Sequence, residues 1–138
     1  DEGKAMDDKR PDILRLELDG AVDLAEGRAE EGLRRLRQAA DLEDTLPVPF
    51  GPPFVEKPSH EMLGEALLSL KRPADAAKEF EAALARAPRR AKSLLGLARA
   101  QSRSGETEKA RRTYAELREV WRHATALPED VRREVSGS

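Results

Sequence analysis

Hydrophobic residues recur three and four positions apart along most of this chain, the spacing that lines one face of an α-helix. Residues 1–10, DEGKAMDDKR, lie outside the pattern and read as a polar, flexible arm. From Pro11 a first helical run carries Ile13, Leu16, Ala21 and Leu24 on one side and stops at Gly27. A second, over about 28–42, spaces Leu33, Leu36 and Ala40 likewise. A third starts near Pro58-Ser59 and runs to about residue 70, with Met62, Leu63, Ala66, Leu67 and Leu70 as its stripe. Pro73 sits in the first turn of a fourth, where a missing backbone donor costs nothing, and Pro88 closes it after Ala76, Phe80, Ala83 and Leu84. A fifth (about 90–104) holds Leu94, Leu97 and Ala98, and Ser104-Gly105 breaks it. A sixth (about 106–124) holds Ala110, Tyr114, Leu117 and Trp121, and a short seventh covers 129–135. The reading is three helical hairpins and a tail.

Composition supports an all-α fold. Ala, Leu, Arg and Glu dominate, all strong helix formers, and the β-branched and aromatic runs that strands need are missing: Ile occurs once, at Ile13, and aromatics make up 4%. Between the first two hairpins, residues 44–58 hold a rigid, partly extended loop, with four of the nine prolines packed into 47–53.

The helices repeat. Leu63 recurs as Leu97, Ala76 as Ala110 and Phe80 as Tyr114, each 34 residues on. Gly32, Leu36 and Ala39 match Ala76, Phe80 and Ala83 at a step of 44, the extra ten residues being the proline-rich loop. The period and the residues resemble the tetratricopeptide repeat (TPR) family. Leu63-Gly64 resembles its Leu-Gly element, Ala76 and Ala83 its small residues, Phe80 its wedged aromatic and Pro88 its closing proline. Units of about 11–43, 57–90 and 91–124 follow, then a capping helix and tail over 125–138. The first unit is degenerate, with Asp19 where the family has Leu and Gly20 in the small position; the third has Ala98 for the second Gly. The resemblance implies a right-handed superhelical stack of antiparallel helix pairs, an α-solenoid in which each hairpin seals its neighbour's apolar side. A different helical-hairpin array or a plain bundle is the alternative.

In such a stack the first helix of each hairpin lines the inner face. Projection by periodicity puts Glu17, Ala21 and Leu24 there in the first unit, Glu61, Glu65 and Leu68 in the second, and Lys92, Leu95, Arg99 and Arg103 in the third. The functional reading is a groove with an acidic and a basic wall; the bland one is that Glu61 and Glu65 merely neutralise Arg99 and Arg103. Phe50 and Phe54, flanking Gly51-Pro52-Pro53, form either a contact loop or a plug over the seam between units one and two. Family members that clamp a chaperone's C-terminal carboxylate use inner Lys and Asn; this chain has no Asn, and Glu stands at the corresponding positions.

Charge sharpens the picture. Residues 1–70 carry 9 Lys and Arg against 17 Asp and Glu, residues 71–124 carry 14 against 7, within an overall net charge of −2. This asymmetry suits a bipolar binding surface or head-to-tail stacking into a homo-oligomer, or is no more than solvated helix faces. With no cysteine, disulfides and thiolate sites are out. His60 and His123 are far apart and lack metal-ligand spacing; His60 stands at a large-residue position and reads as packing. Trp121, Arg122 and His123 read as a terminal cap. No phosphate loop, dinucleotide fingerprint or nucleophile elbow appears. Few aromatics and interspersed acids argue against nucleic acid, and no apolar run is long enough to insert in a membrane. The expectation is a soluble, non-enzymatic, cofactor-free scaffold binding a protein or peptide. The cytoplasm is slightly favoured, and the Ala, Arg and Pro richness resembles high-GC bacterial coding.

Overall fold

The computed structural model describes residues 8–47, 57–122 and 129–136, which form seven α-helices and no strand. In chain order they are α1 (Arg10–Ala25), α2 (Ala29–Asp44), α3 (Ser59–Ser69), α4 (Pro73–Arg86), α5 (Ala91–Arg103), α6 (Thr107–Trp121) and α7 (Glu129–Ser136). Proline stands in the first turn of α1 and of α4. Pairs α1–α2, α3–α4 and α5–α6 form three hairpins, and α7 packs on α6.

One turn joins the helices of every hairpin. Gly27 and Gly105 have φ of +83°, and Lys71 has +63°. At each, the residue after it donates its N–H to a carbonyl five positions back and the positive-φ residue donates to one three back: Arg28 to Asp23 and Gly27 to Leu24, Arg72 to Leu67 and Lys71 to Leu68, Glu106 to Gln101 and Gly105 to Ser102. This is the Schellman closure, which satisfies the last carbonyls of the first helix.

Two core clusters result. The larger joins Leu33 and Leu36 of α2, Leu63 and Leu67 of α3, Ala76 and Phe80 of α4, and Leu97 and Ala100 of α5. The smaller gathers Leu94 and Ala98 of α5, Ala110, Tyr114 and Leu117 of α6, and Val135 of α7. Small residues let the rods touch: a Cβ on Gly32 would lie 2.7 Å from Leu24 Cγ, and one on Gly96 would lie 2.3 Å from the Phe80 ring.

The backbones of α1, α3 and α5 approach one another in a row, whereas among the described residues those of α2, α4 and α6 do not. The stack therefore bends toward its first helices, which makes their shared side the inner one.

On α1 the expected apolar side is only partly right. Ile13, Gly20 and Asp23 are buried, while Leu16, Ala21 and Leu24 are half-buried. A second apolar row, Leu14, Leu18 and Val22, is 56%, 58% and 51% exposed.

Candidate functional site

Of the inner row on α5, Lys92 and Arg103 are exposed and Leu95 and Arg99 half-buried. Four-residue spacing places Arg99 and Arg103 on one face, and Lys92 lies two turns before Arg99. Arg99 is already holding a carboxylate. Its Nε and Nη2 donate to the two oxygens of Glu134 on α7, at 2.8 and 2.7 Å, a bidentate fork. The Tyr114 hydroxyl donates to the same carboxylate at 2.8 Å. The Arg99 guanidinium holds Glu134 below the usual carboxylate range despite partial burial. Burial and the neighbouring carboxylate push the Tyr114 hydroxyl up. α7 is further tied by Arg118, which donates to the Val135 carbonyl at 2.5 Å.

The acidic wall is corrected. Glu61 is fully buried. Arg90 Nε and Nη2 donate to its carboxylate at 2.8 and 3.1 Å, and Ser93 Oγ donates at 2.5 Å. It is thus an internal bridge from α3 to α5, not a groove carboxylate. Glu65, half-buried, accepts from Lys57 Nζ at 2.6 Å. Neither pairs with Arg99 or Arg103, so the expected neutralisation across adjacent helices is replaced by these contacts. Glu17, projected onto the inner face of α1, also lies in a seam: Ser59 Oγ donates to it at 2.7 Å.

These two contacts are one device used twice. Ser59 and Ser93 stand 34 residues apart and Glu17 and Glu61 stand 44 apart, the two repeat steps of the chain. Each serine is buried at the start of a first helix and donates to the glutamate of the preceding first helix. Sequence reading missed the pairing, although both steps were visible.

His60 is buried, as its packing position suggested, but it is polar-paired on both sides. Its Nδ1 lies 2.8 Å from Glu79 Oε1 on α4, and its Nε2 lies 2.9 Å from both oxygens of Asp44 on α2. Glu79 also accepts from Arg37 of α2. Carboxylates only accept when ionised, so a ring facing them with both nitrogens is held as imidazolium. The hydrogen bond to Glu79 raises the His60 pKa against the opposing effect of burial. Burial pushes Glu79 up, but His60 and Arg37 outweigh it and hold Glu79 low. Asp23 is a third buried carboxylate, accepting from Arg28 at 2.6 and 3.1 Å, with Arg35 at 3.1 Å.

Among the described residues no group of three or more His, Cys, Asp or Glu is set to hold a metal, and no helix is long and apolar enough to cross a membrane. Phe50, Phe54 and His123 lie outside the described residues.

Compared with known proteins, residues 67–120 match the family described as tetratricopeptide repeat. Among solved structures the chain is similar to the first TPR of Spaghetti (RPAP3) bound to HSP90 peptide SRMEEVD, at 18% identity over 91% of this chain and 90% of that one, with a TM-score of 0.67. It is also similar to the Sgt2 TPR domain from Aspergillus fumigatus, at 16% identity over 92% and 76%, with a TM-score of 0.70. No curated protein matches the chain.

Proposed function

We propose that this chain, which matches the tetratricopeptide repeat family over residues 67–120 and shares the fold of TPR domains, is a protein–protein interaction module that takes a carboxylate-bearing peptide or partner segment along α5, on the inner side of the stack. The observation that carries the reading is the Arg99 fork. It already binds a carboxylate, Glu134, bidentately beside the Tyr114 hydroxyl, with Lys92 and Arg103 exposed on the same helix. Arginine in such a row suits planar anionic groups. The similar Spaghetti domain is bound to an HSP90 peptide, which supports peptide binding as the mode of action. The reading does not extend to a chaperone tail. The chain has no Asn for the clamp that such family members use, and Glu61, at one of its inner positions, is buried on Arg90. The chain acts by binding, with no reaction assigned to it.

The test is capture of partners from a lysate by the intact chain and by Lys92→Glu/Arg103→Glu. Both positions are exposed, so the melting temperature stays within the effect of about 1 kcal/mol that surface charges exert. Loss of the captured partner in the variant, and weaker capture as salt rises, is the expected result. Equal capture by both proteins overturns the reading.

Head-to-tail self-assembly is the second reading. Its C-terminal contact surface is the one that α7 covers with Val131 and Val135, so this alternative requires α7 to leave. The exposed apolar row of α1 favours self-association of a different geometry.

A further inference from the structure

We propose that two copies of this chain pair through α1, crossing antiparallel about a two-fold axis at Leu18. This does not rest on the partner-binding reading, which concerns α5.

The repeat says what these positions are for. On α5, Gly96 meets the Phe80 ring of the preceding hairpin, and Ala100 is buried in the same cluster. A step of 34 back puts Met62 and Ala66 on α3, both packed against the cluster that contains Leu36 of the preceding α2. A further step of 44 puts Leu18 and Val22 on α1. In the third unit these positions sit under the preceding hairpin, and in the second they pack on the core that α2, α3 and α4 share. Among the described residues α1 has no preceding hairpin, yet it carries Leu18 and Val22 where the third unit has only Gly96 and Ala100. Leu14 extends the row by one turn, and all three are more than half exposed.

A second copy is the occupant that fits. The exposed large hydrophobics among the described residues are Leu14, Leu18, Val22 and Leu70, so three of four lie on this one row. Among the described residues the opposite end of the stack offers no exposed large hydrophobic as a counterpart, and Val135 is seated among Tyr114 and Leu117. A single apolar row that associates with another copy must meet itself, which makes the contact isologous. Its spacing suits that. Residues 14, 18 and 22 form an i±4 ridge, and two such ridges interdigitate at a crossing angle of about 50°. With Leu18 on the axis, Leu14 faces the partner's Val22. Charge fits as well: Arg15 and Asp19 share one flank of the row, and the antiparallel arrangement brings each Arg15 toward the partner's Asp19, two opposite-charge pairs per dimer. A parallel arrangement would put this flank of the two helices on opposite sides of the contact, so Arg15 and the partner's Asp19 would not meet. One helix crossing buries less than the roughly 800 Å² per partner of a standard interface, so the dimer is weak and its population follows concentration.

Sedimentation velocity of the full chain across the micromolar range tests this. The expected result is a monomer–dimer equilibrium that Leu18→Glu moves to monomer, raising the dissociation constant at least about a hundredfold because two leucines are lost and two like charges meet on the axis. The thermal melt of dilute protein stays unchanged, since Leu18 is already exposed in the monomer. The chain has no cysteine, so Leu18→Cys reports the axis directly: under mild oxidation it forms a disulfide-linked dimer, while Leu70→Cys, exposed but off the row, does so far more slowly. A protein that stays monomeric throughout, a dimer indifferent to Leu18→Glu, or equal cross-linking at positions 18 and 70 overturns the proposal.

Discussion

Lys71 occupies a backbone position that the other two hairpins give to glycine. Gly27, Lys71 and Gly105 are separated by 44 and 34 residues, and all three adopt positive φ to close the same turn. An L side chain in that conformation costs roughly 1–2 kcal/mol, partly offset because glycine has more unfolded-state freedom to lose. Lys71→Gly is therefore expected to stabilise the fold by up to about 1 kcal/mol, read as a higher urea midpoint at unchanged slope. A lower midpoint would mean that the lysine side chain contributes something the backbone argument omits. The turn itself was legible from KRPADA and from Pro73. The conformation of Lys71 was not legible from lysine, which rarely adopts it; only alignment with the two glycines reveals it.

At the level of helices, the seam between α4 and α5 is governed by one ring and two glycines. Phe80 is fully buried, with Gly64 of its own hairpin at 3.0–3.1 Å and Gly96 of the next at 2.3–2.7 Å from a built Cβ. A methyl group at 96 drives into a ring that has no space to retreat, so Gly96→Ala is expected to destabilise by about 1–3 kcal/mol, measurable by chemical denaturation. An unchanged midpoint would show that α5 slides freely on α4. The part of Gly64 could be read from the Leu63-Gly64 pair. That of Gly96 could not, because the third unit's matching pair is Leu97-Ala98 and Gly96 faces the preceding hairpin, a contact that one unit's pattern does not contain. The expected apolar side of α1 failed for a related reason. With Leu14, Leu18 and Val22 alongside Ile13 and Leu24, the helix is apolar over more than one face, and periodicity alone does not say which face the neighbours cover.

Over the whole molecule, stability depends on pH through the cluster that ties α2, α3 and α4 together. The His60 pKa is raised above 6.5 by its carboxylate partners. Its contribution is thus complete below the unfolded-state value and is lost as pH climbs through the folded one. Glu79 is held below 4.5, so its contribution is present above that value and is lost as pH falls through the folded one. The cluster therefore favours the fold most in the mildly acidic range between them. Urea midpoints should decline as pH rises from 6 toward 9, and His60→Gln should flatten that decline; a variant that retains the full slope would place its origin elsewhere.

Helix positions, hairpin turns and the 34-residue register are properties of the sequence alone, because hydrophobic spacing, proline and glycine act over one or two turns of chain. Which carboxylates face solvent is not such a property. Glu61 and Glu65 lie one turn apart on the same side of α3, yet one is sealed beneath Arg90 and Ser93 while the other stays at the surface with Lys57. Arg99 likewise receives its partner from α7, 35 residues away. Only the packing of one helix over another decides such matters, because the fate of a charge is set by the groups brought to it from distant parts of the chain.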